Sequence, residues 1–344
     1  MSNSSQFARR YAGKGGGYIS TWEAYFKINN SIQIIDAHFH LNYLTNLKEN
    51  LENSINTGIL SGIVAGVWLE DTLQNVALTQ DKIHSNRLCA VLKEEQSSEG
   101  KITHTNIKNN IFLCFLAHGL HPINVHKLWL FPDGTENIDR ISKDISLFHD
   151  ILDEHAHKIW AIGEAGFDLS QEIVKHQNCV GISKAQILEL QNIAFEACAK
   201  IAEKNQLPLI LHLRSTPWDF CMRKLIWAKD LGVKNIMIHC YSGPPEDMKK
   251  LADLGVYCSF GGVTTREKAV RNREAFIKCS SRFRMLETDS PDMPPEIPGL
   301  EKLTVNEPAN LRKIAKILSE YLNISDIELI KMSNENILRF LNIF

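Results

Sequence analysis

The stretch IIDAHFH, residues 34–40, is the most informative part of this sequence. An apolar run leads directly into two histidines that are one residue apart. Residues i and i+2 of a β-strand point to the same face, so His38 and His40 are expected to project side by side. A solvated surface pair would explain this spacing alone. The apolar run before the pair is typical of a buried strand, so a metal site is the more specific hypothesis. Such a site requires further ligands from elsewhere in the chain.

Seven more apolar runs follow the first, separated by longer amphipathic stretches. They span residues 62–69, 111–122, 158–166, 207–214, 234–243, 255–262 and 282–291. Strands this apolar are usually covered on both faces, which favours a parallel sheet. Eight strands alternating with helices over roughly 300 residues predict an α/β fold, the (β/α)8 TIM barrel. A doubly wound open sheet is the alternative, and the lack of a G-x-G-x-x-G motif after the first strand argues against it.

Residues 32–344 are predicted to form one barrel domain, and two segments stand apart from it. Residues 1–31 are polar and contain a run of three glycines, so we expect a partly flexible N-terminal extension. The polar stretch at about 85–110 is predicted to be an insertion between the second and third strands. Either segment is a candidate contact for a partner protein.

The composition of the chain limits the classes of protein to which it can belong. Of the 344 residues 44% are hydrophobic, which supplies a sizeable core, and the net charge of −2 indicates no general affinity for polyanions. A contact with DNA would therefore need a local basic surface. No apolar run approaches the length of about 18 residues that a membrane span needs. The eight cysteines are scattered without a CxxC pair, so we expect reduced thiols and a cytoplasmic protein without a zinc finger.

Residues with metal-binding or acid–base chemistry fall at the ends of most predicted strands, where a barrel places its catalytic groups. They are, in chain order, His38, His40, His121, Glu164, His212, Arg214, His239 and Asp289. Each alone has an ordinary explanation as a hydrogen-bonded core residue, a helix cap or an ion-pair partner. So many imidazoles and carboxylates at one end of a barrel are costly to bury unless a metal centre uses them.

Counting the ligands predicts a centre with two divalent ions. His38, His40 and Asp289 can hold one ion, and His212 and His239 can hold the second. Two ions roughly 4 Å apart can clamp the attacking and leaving oxygens of a phosphoryl displacement. The attacking group would be a water that the ions acidify.

The remaining side chains then receive roles in hydrolysis. Glu164 has two carboxylate oxygens and can bridge the ions. Asp289 can bind metal and also take the proton of the attacking water, so Glu164 and Asp289 are the predicted catalytic residues. Arg214 is placed to bind a phosphate in bidentate fashion.

The motifs of the chain resemble those of the TatD-type metal-dependent deoxyribonucleases, a branch of the amidohydrolase-like TIM-barrel hydrolases. The matching stretches, in the order of that family, are IDAHFHL, GLHP, AIGEAGFD, LILHLR, IHCYSG, SFGG, LETDSP, NEPANL and SNENILRF. The resemblance implies a (β/α)8 barrel that hydrolyses single-stranded DNA or duplex ends, often from the 3′ end. It implies the same six metal ligands, His38, His40, Glu164, His212, His239 and Asp289. His121, in GLHP, becomes a contact on the substrate side.

Three positions depart from the pattern of the family. Leu213 stands where the family usually has serine, Ile123 where it often has a second histidine, and Val305 where it usually has a basic residue. The last two departures remove expected contacts with substrate. The chain is also longer than a typical member, and the extra length lies in the N-terminal extension and the insertion.

Several alternatives stay open at this stage. Imidazole ligands favour zinc, manganese, iron or nickel, whereas the resemblance implies magnesium or manganese; Mg, Mn and Zn are the leading candidates. The same barrel could hydrolyse another ester, such as an aminoacyl-tRNA, or could be a catalytically silent scaffold subunit. A deoxyribonuclease would serve DNA repair or turnover, with antiphage defence as a minority alternative.

Overall fold

Eight parallel strands form a nearly closed barrel in the computed structural model. The structure describes residues 33–84, 87–92 and 112–343. Their order around the barrel follows their order in the chain, and the predicted TIM barrel is thereby confirmed. The barrel strands are β1 (Ile34–Phe39), β2 (Ile59–Val64), β5 (Leu113–His118), β6 (Ile159–Asp168), β7 (Leu209–Arg214), β8 (Ile236–Ile238), β9 (Val256–Phe260) and β10 (Arg284–Leu286). The predicted extension at 1–31 lies outside the described residues.

Helices follow the strands and cover the outside of the barrel. They are α1 (Leu47–Asn56), α2 (Leu69–Leu78), α3 (Pro122–Trp129), α4 (Ile138–His155), α5 (Gln171–Val174), α6 (Lys184–Asn205), α7 (Trp218–Leu231), α8 (Met248–Asp253), α9 (Gly262–Thr265), α10 (Val270–Lys278), α11 (Leu311–Leu322) and α12 (Asp326–Phe340). Single 3₁₀ turns lie at Leu41–Tyr43, Gln177–Cys179, Pro245–Asp247 and Pro308–Asn310. Within the described ranges, no helix has both the length and the apolar character needed to cross a bilayer.

The apolar residues divide between two layers of core. One cluster takes residues from every barrel strand, among them Ile35, Phe115 and Met285, and therefore fills the barrel itself. The end of α12 joins this cluster through Ile337 and Phe340. A larger cluster lies between the strands and the surrounding helices. Strands buried on both faces read as continuous apolar runs, which is why the sequence predicts them well.

The second strand lies earlier in the chain than predicted. The apolar run at 62–69 suggested a strand, but β2 ends at Val64 and Leu69 already begins α2. Gly58, with a φ of +87°, turns the chain out of α1 directly into β2. Ala65 and Trp68 are buried in the loop that follows. An apolar run in a buried loop cannot be distinguished from a strand by its periodicity alone.

The predicted insertion begins as a β-hairpin rather than as a loop. Strands β3 (Thr79–His84) and β4 (Arg87–Leu92) pair in antiparallel fashion. β4 then pairs with Leu113 and Cys114 at the start of β5. The hairpin therefore branches off the barrel between its second and third strands, where the insertion was predicted. The rest of that insertion, residues 93–111, lies outside the described part of the chain.

The barrel closes where its first and last strands meet. The carboxylate of Asp36 accepts the backbone N–H of Thr288 (2.9 Å) and of His38 (3.1 Å), and it also accepts the hydroxyl of Thr288. The N–H of Asp289 donates to the carbonyl of His38 (2.9 Å). These bonds hold His38 and Asp289 next to each other, although they are far apart in the chain.

Arg284, the first residue of β10, connects this strand to the end of α10. Its buried guanidinium donates to the carbonyls of Phe276 (3.1 Å), Ile277 (3.3 Å) and Cys279. A helix leaves its last carbonyls without partners inside the helix. Arg284 satisfies carbonyls at the end of this one from inside the protein.

We expect Arg284→Met to lower the free energy of unfolding by about 3 kcal/mol, because it leaves buried carbonyls without donors. The measurement is urea denaturation followed by circular dichroism. Arg282→Met is the matched control, since Arg282 is exposed and its loss should cost less than about 0.5 kcal/mol. Equal stability of the two variants would contradict this role for Arg284.

Candidate metal centre

The predicted site residues converge at one end of the barrel. Each lies at or near the carboxyl end of its strand, and apart from Arg214 their ionisable atoms face one another across the mouth. Six of these side chains are buried: His38, His40, His121, Glu164, His239 and Asp289. The side chain of His212 is 15% exposed. The structure therefore brings together in space a set of residues that the sequence scatters from His38 to Asp289.

Glu164 lies in the middle of the cluster and faces histidines with both carboxylate oxygens. Its Oε1 lies 3.5 Å from Nε2 of His38 and 3.6 Å from Nε2 of His40. Its Oε2 lies 2.8 Å from Nε2 of His239 and 3.6 Å from Nδ1 of His212. One carboxylate thus stands between two groups of imidazoles, which is the geometry of a bridging ligand.

Asp289 completes the side of the cluster next to the first strand. Its Oδ1 lies 3.4 Å from Nε2 of His40 and 3.7 Å from Nε2 of His38. His239 also groups with His38 and Asp289, with ligand atoms within 4.8 Å of one another. Nε2 of His239 also lies 3.0 Å from Nδ1 of His212, so its ring is close to both groups of candidate ligands.

The donor atoms of this cluster fit divalent ions. Both ring nitrogens of His38, both oxygens of Glu164 and Nδ1 of His239 are buried without a hydrogen-bond partner among the described residues. A buried polar atom without a partner is costly, and a buried carboxylate is more so. Cations bound at this centre would satisfy Nε2 of His38 and the two oxygens of Glu164, because these atoms face one another. Nitrogen and carboxylate ligands suit zinc or manganese.

Hydrogen bonds behind two of the rings select the nitrogen that faces the centre. Nδ1 of His40 lies 3.3 Å from the carbonyl of Ala65, so it carries the proton and leaves the lone pair on Nε2. Nε2 of His212 lies 3.2 Å from Oδ2 of Asp168, so this ring presents the lone pair on Nδ1. These two nitrogens face carboxylates of the centre, and each offers its lone pair once a metal ion replaces the proton there.

His121 presents a proton rather than a lone pair. It caps α3 with Nδ1, which accepts the backbone N–H of Ile123 at 3.0 Å. Burial lowers the pKa of His121 to about 4, so the ring is neutral and its proton is on Nε2. That N–H lies 3.3 Å from Oε2 of Glu164. His121 groups with Glu164 and His212 by distance, but its tautomer suits a hydrogen-bond donor better than a ligand.

The charge of Glu164 depends on the surrounding imidazoles. Burial raises the pKa of this carboxyl, but His121, His239 and His38 together hold it well below its usual range. Glu164 is therefore ionised although it is almost completely buried. An ionised carboxylate at this depth needs positive charge close by.

Two histidines supply that charge when no metal ion is bound. Burial alone would lower the pKa of His40, but Asp289 and Glu164 raise it to about 9. Burial likewise opposes a charged His212, whose pKa Asp168 and Glu164 raise to about 9. A bound cation would take over this role, and the two protons would leave as it binds.

Asp168 and Glu287 support the cluster, and the sequence analysis assigned neither of them. Asp168 is fully buried, accepts the N–H of Ser170 at 2.6 Å and holds His212. Glu287 accepts the N–H of Cys240 at 2.6 Å and the hydroxyl of Ser259, so it fixes the peptide next to His239. Burial raises the pKa of Glu287 far above its usual range. Both lie in quoted motifs, but only tertiary contacts show what they hold.

Arg214 stands at the rim of the site. It follows His212 by two residues on β7, so both side chains leave the strand on the same face. The side chain of Arg214 is exposed and has no hydrogen-bond or ion-pair partner within the described ranges. A guanidinium in this position remains available to an anionic substrate.

We expect Asp168→Asn to weaken metal binding by about tenfold to a hundredfold, because a neutral amide holds the imidazole of His212 less firmly and makes it less basic. The measurement is titration of the metal-stripped protein with Zn or Mn against a chelator. Asp153→Asn, at an exposed position of α4, is the control and should bind as the wild type does. Unchanged affinity in Asp168→Asn would refute this supporting role.

Known proteins resemble this chain in sequence. The family described as TatD related DNase matches residues 35–342. The uncharacterized metal-dependent hydrolase YjjV of Escherichia coli is 27% identical over 201 residues, which cover 58% of this chain and 71% of that protein. The 3′-5′ ssDNA/RNA exonuclease TatD of Citrobacter koseri is 28% identical over 156 residues, which cover 45% of this chain and 55% of that protein.

Solved structures show the same fold. The crystal structure of YjjV, a TatD homolog from Escherichia coli, superposes with a TM-score of 0.66 at 21% identity, over 90% of this chain and 98% of that one. A hydrolase of the TatD family from Entamoeba histolytica gives 0.63 at 18% identity, over 90% and 97%. The resemblance inferred from the motifs is confirmed, because the family match extends over nearly the whole sequence. The chain belongs to the TatD related DNase family of hydrolases.

Proposed function

We propose that this chain is a metal-dependent deoxyribonuclease that removes nucleotides from the ends of DNA, in the 3′-to-5′ direction. The observation that carries the proposal is the ionised carboxylate of Glu164, buried between two groups of imidazoles whose ligand atoms lack partners. The relative named as a 3′-5′ ssDNA/RNA exonuclease supports a nucleic acid as the substrate and this direction of attack. Such an activity suits DNA repair or turnover.

Six residues would hold the ions, with Glu164 between them and His38, His40, His212, His239 and Asp289 around it. Divalent ions, when bound there, supply Lewis-acid activation of water and of the phosphoryl oxygens. The protein contributes a fixed, largely dry cradle, since the donor atoms are held by strands and by the hydrogen bonds behind them. We propose two ions because Glu164 has a group of imidazoles on each side.

Asp289 is the proposed general base. Burial raises the pKa of this carboxyl, but His40, His239 and His38 lower it below its usual value, so it is ionised and able to accept a proton. Its side chain is 10% exposed, in contrast to the 1% of Glu164, so water can reach it. Asp289 would take the proton of the attacking water while Glu164 stays in place.

Arg214 and His121 would position the phosphate. The free guanidinium of Arg214 can bind two phosphate oxygens at the rim. The Nε2–H of His121 points into the centre and can donate to a third oxygen or to the leaving group. The ring of His121 lies 4.4 Å from that of His212, measured between centroids, and Arg214 follows His212 by two residues on β7, so both roles fall beside the same candidate ligand.

We expect Glu164→Gln and Asp289→Asn to lose at least about a hundredfold in turnover of DNA while the barrel stays folded, because each change removes a charge that the reaction needs. The measurement is cleavage of end-labelled single-stranded and duplex DNA by metal-stripped protein, with Mg, Mn or Zn added back. Circular dichroism checks the fold of each variant.

The same experiment separates the alternatives. Near-normal cleavage by both variants would overturn the assigned site. Tight metal binding by the wild type without cleavage of DNA, but with hydrolysis of an aminoacyl ester, would replace the substrate. A protein that binds no metal and hydrolyses neither substrate would be a scaffold rather than an enzyme.

We expect Arg214→Ala to weaken DNA binding about tenfold and to lower the salt dependence of binding by about one phosphate contact. Fluorescence anisotropy at several salt concentrations, in an Asp289→Asn background that stops turnover, measures both. Arg223→Ala, on the exposed face of α7, is the matched control. If both variants give the same salt slope, Arg214 does not contact the backbone of DNA.

A further inference from the structure

Tyr43 presents a half-exposed aromatic ring beside the candidate metal centre. It closes the 3₁₀ turn Leu41–Tyr43, which begins directly after His40. The ring of Tyr43 lies 5.9 Å from the ring of His40, measured between centroids, and is tilted against it by 54°. Yet 45% of Tyr43 is exposed. One part of the side chain therefore borders the catalytic mouth, and another faces solvent.

The ring is held in place by its hydroxyl. Tyr43 donates to Oδ1 of Asp71 at 3.0 Å. Asp71 is buried, and its other oxygen accepts the backbone N–H of Val67 (3.1 Å) and of Trp68 (2.9 Å). Asn42 donates to Asp71 at 2.8 Å and strengthens the same anchor. A tyrosine fixed in this way loses little conformational entropy when another group packs against its ring.

The fold leaves much of the Tyr43 side chain exposed. Among the described residues, Tyr43 and Phe131 are the large aromatic side chains that remain substantially exposed, at 45% and 46%. Phe131 lies beyond the far end of α3, whose first end is at the mouth. A helix of this length separates its ends by about 12 Å, so Phe131 is remote from the site. Of these two exposed rings in the described part of the chain, Tyr43 is the one that has a fixed orientation and lies near the centre.

We propose that Tyr43 stacks on the base of a nucleotide that flanks the scissile phosphate. This inference rests on the proposed function and specifies how the site selects its substrate. Aromatic side chains stack on any unpaired base, because every base has a π-face. In a duplex that face is covered by the neighbouring base pair. Tyr43 therefore favours single-stranded ends, or duplex ends that have frayed, without regard to sequence.

The test pairs a change in the protein with a change in the substrate. One substrate is a single-stranded oligonucleotide, and the other is the same strand with abasic sites on both sides of the bond that is cleaved. We expect Tyr43→Ala to raise KM about tenfold on the first substrate, as loss of one stacked base predicts. On the abasic substrate it should change KM less than about twofold. Wild-type enzyme should itself show a raised KM on the abasic strand.

Two variants guard against a purely structural effect. Tyr43→Phe keeps the ring and loses only the bond to Asp71, so it should stay within about threefold of the wild type on both substrates. Phe131→Ala removes an equally exposed aromatic ring and should leave KM unchanged. A Tyr43→Ala variant that loses activity equally on both substrates, or on neither, overturns the stacking role alone. A wild type that cleaves neither strand with any metal overturns the proposed function, and this inference with it.

Discussion

An ionised carboxylate buried among imidazoles is the constraint on which the rest of this site depends. Glu164 is 1% exposed, and neither of its oxygens finds a hydrogen bond within the described residues. A charge in that position is stable only if positive charge surrounds it. The barrel meets this requirement by converging strand ends, each of which delivers one or two side chains from a different part of the chain. The site therefore follows from the fold, because the barrel brings the carboxyl ends of its strands to one mouth.

The residues that hold the candidate ligands in place are as important for the site as the ligands themselves. Asp36 ties the first strand to the last and so places His38 beside Asp289. Asp168 selects the nitrogen that His212 presents, and Glu287 fixes the peptide next to His239. Each of these carboxyls is buried and hydrogen-bonded, so it costs little once the barrel has formed. The centre is thereby rigid before any ion or substrate arrives.

The barrel and the candidate ligands could be predicted from the sequence, whereas the finer features could not. Continuous apolar runs reveal strands that are buried on both faces, and polar residues at their ends stand out against them. The limits of β2 were missed because Trp68 and its neighbours are apolar but form a buried loop. The tautomer of His121 depends on the backbone N–H that its ring accepts, and the orientation of Tyr43 depends on its bond to Asp71. Only folding brings these groups close.

The decisive measurement is anomalous diffraction, at a wavelength where manganese scatters anomalously, from a crystal of the protein soaked with manganese. We expect two anomalous peaks, one on each side of the Glu164 carboxylate, with His38 and His40 near one and His212 near the other. A single peak that Glu164 does not touch, or no peak at millimolar manganese while Glu164 remains paired with protonated histidines, would rule out a two-ion centre around Glu164.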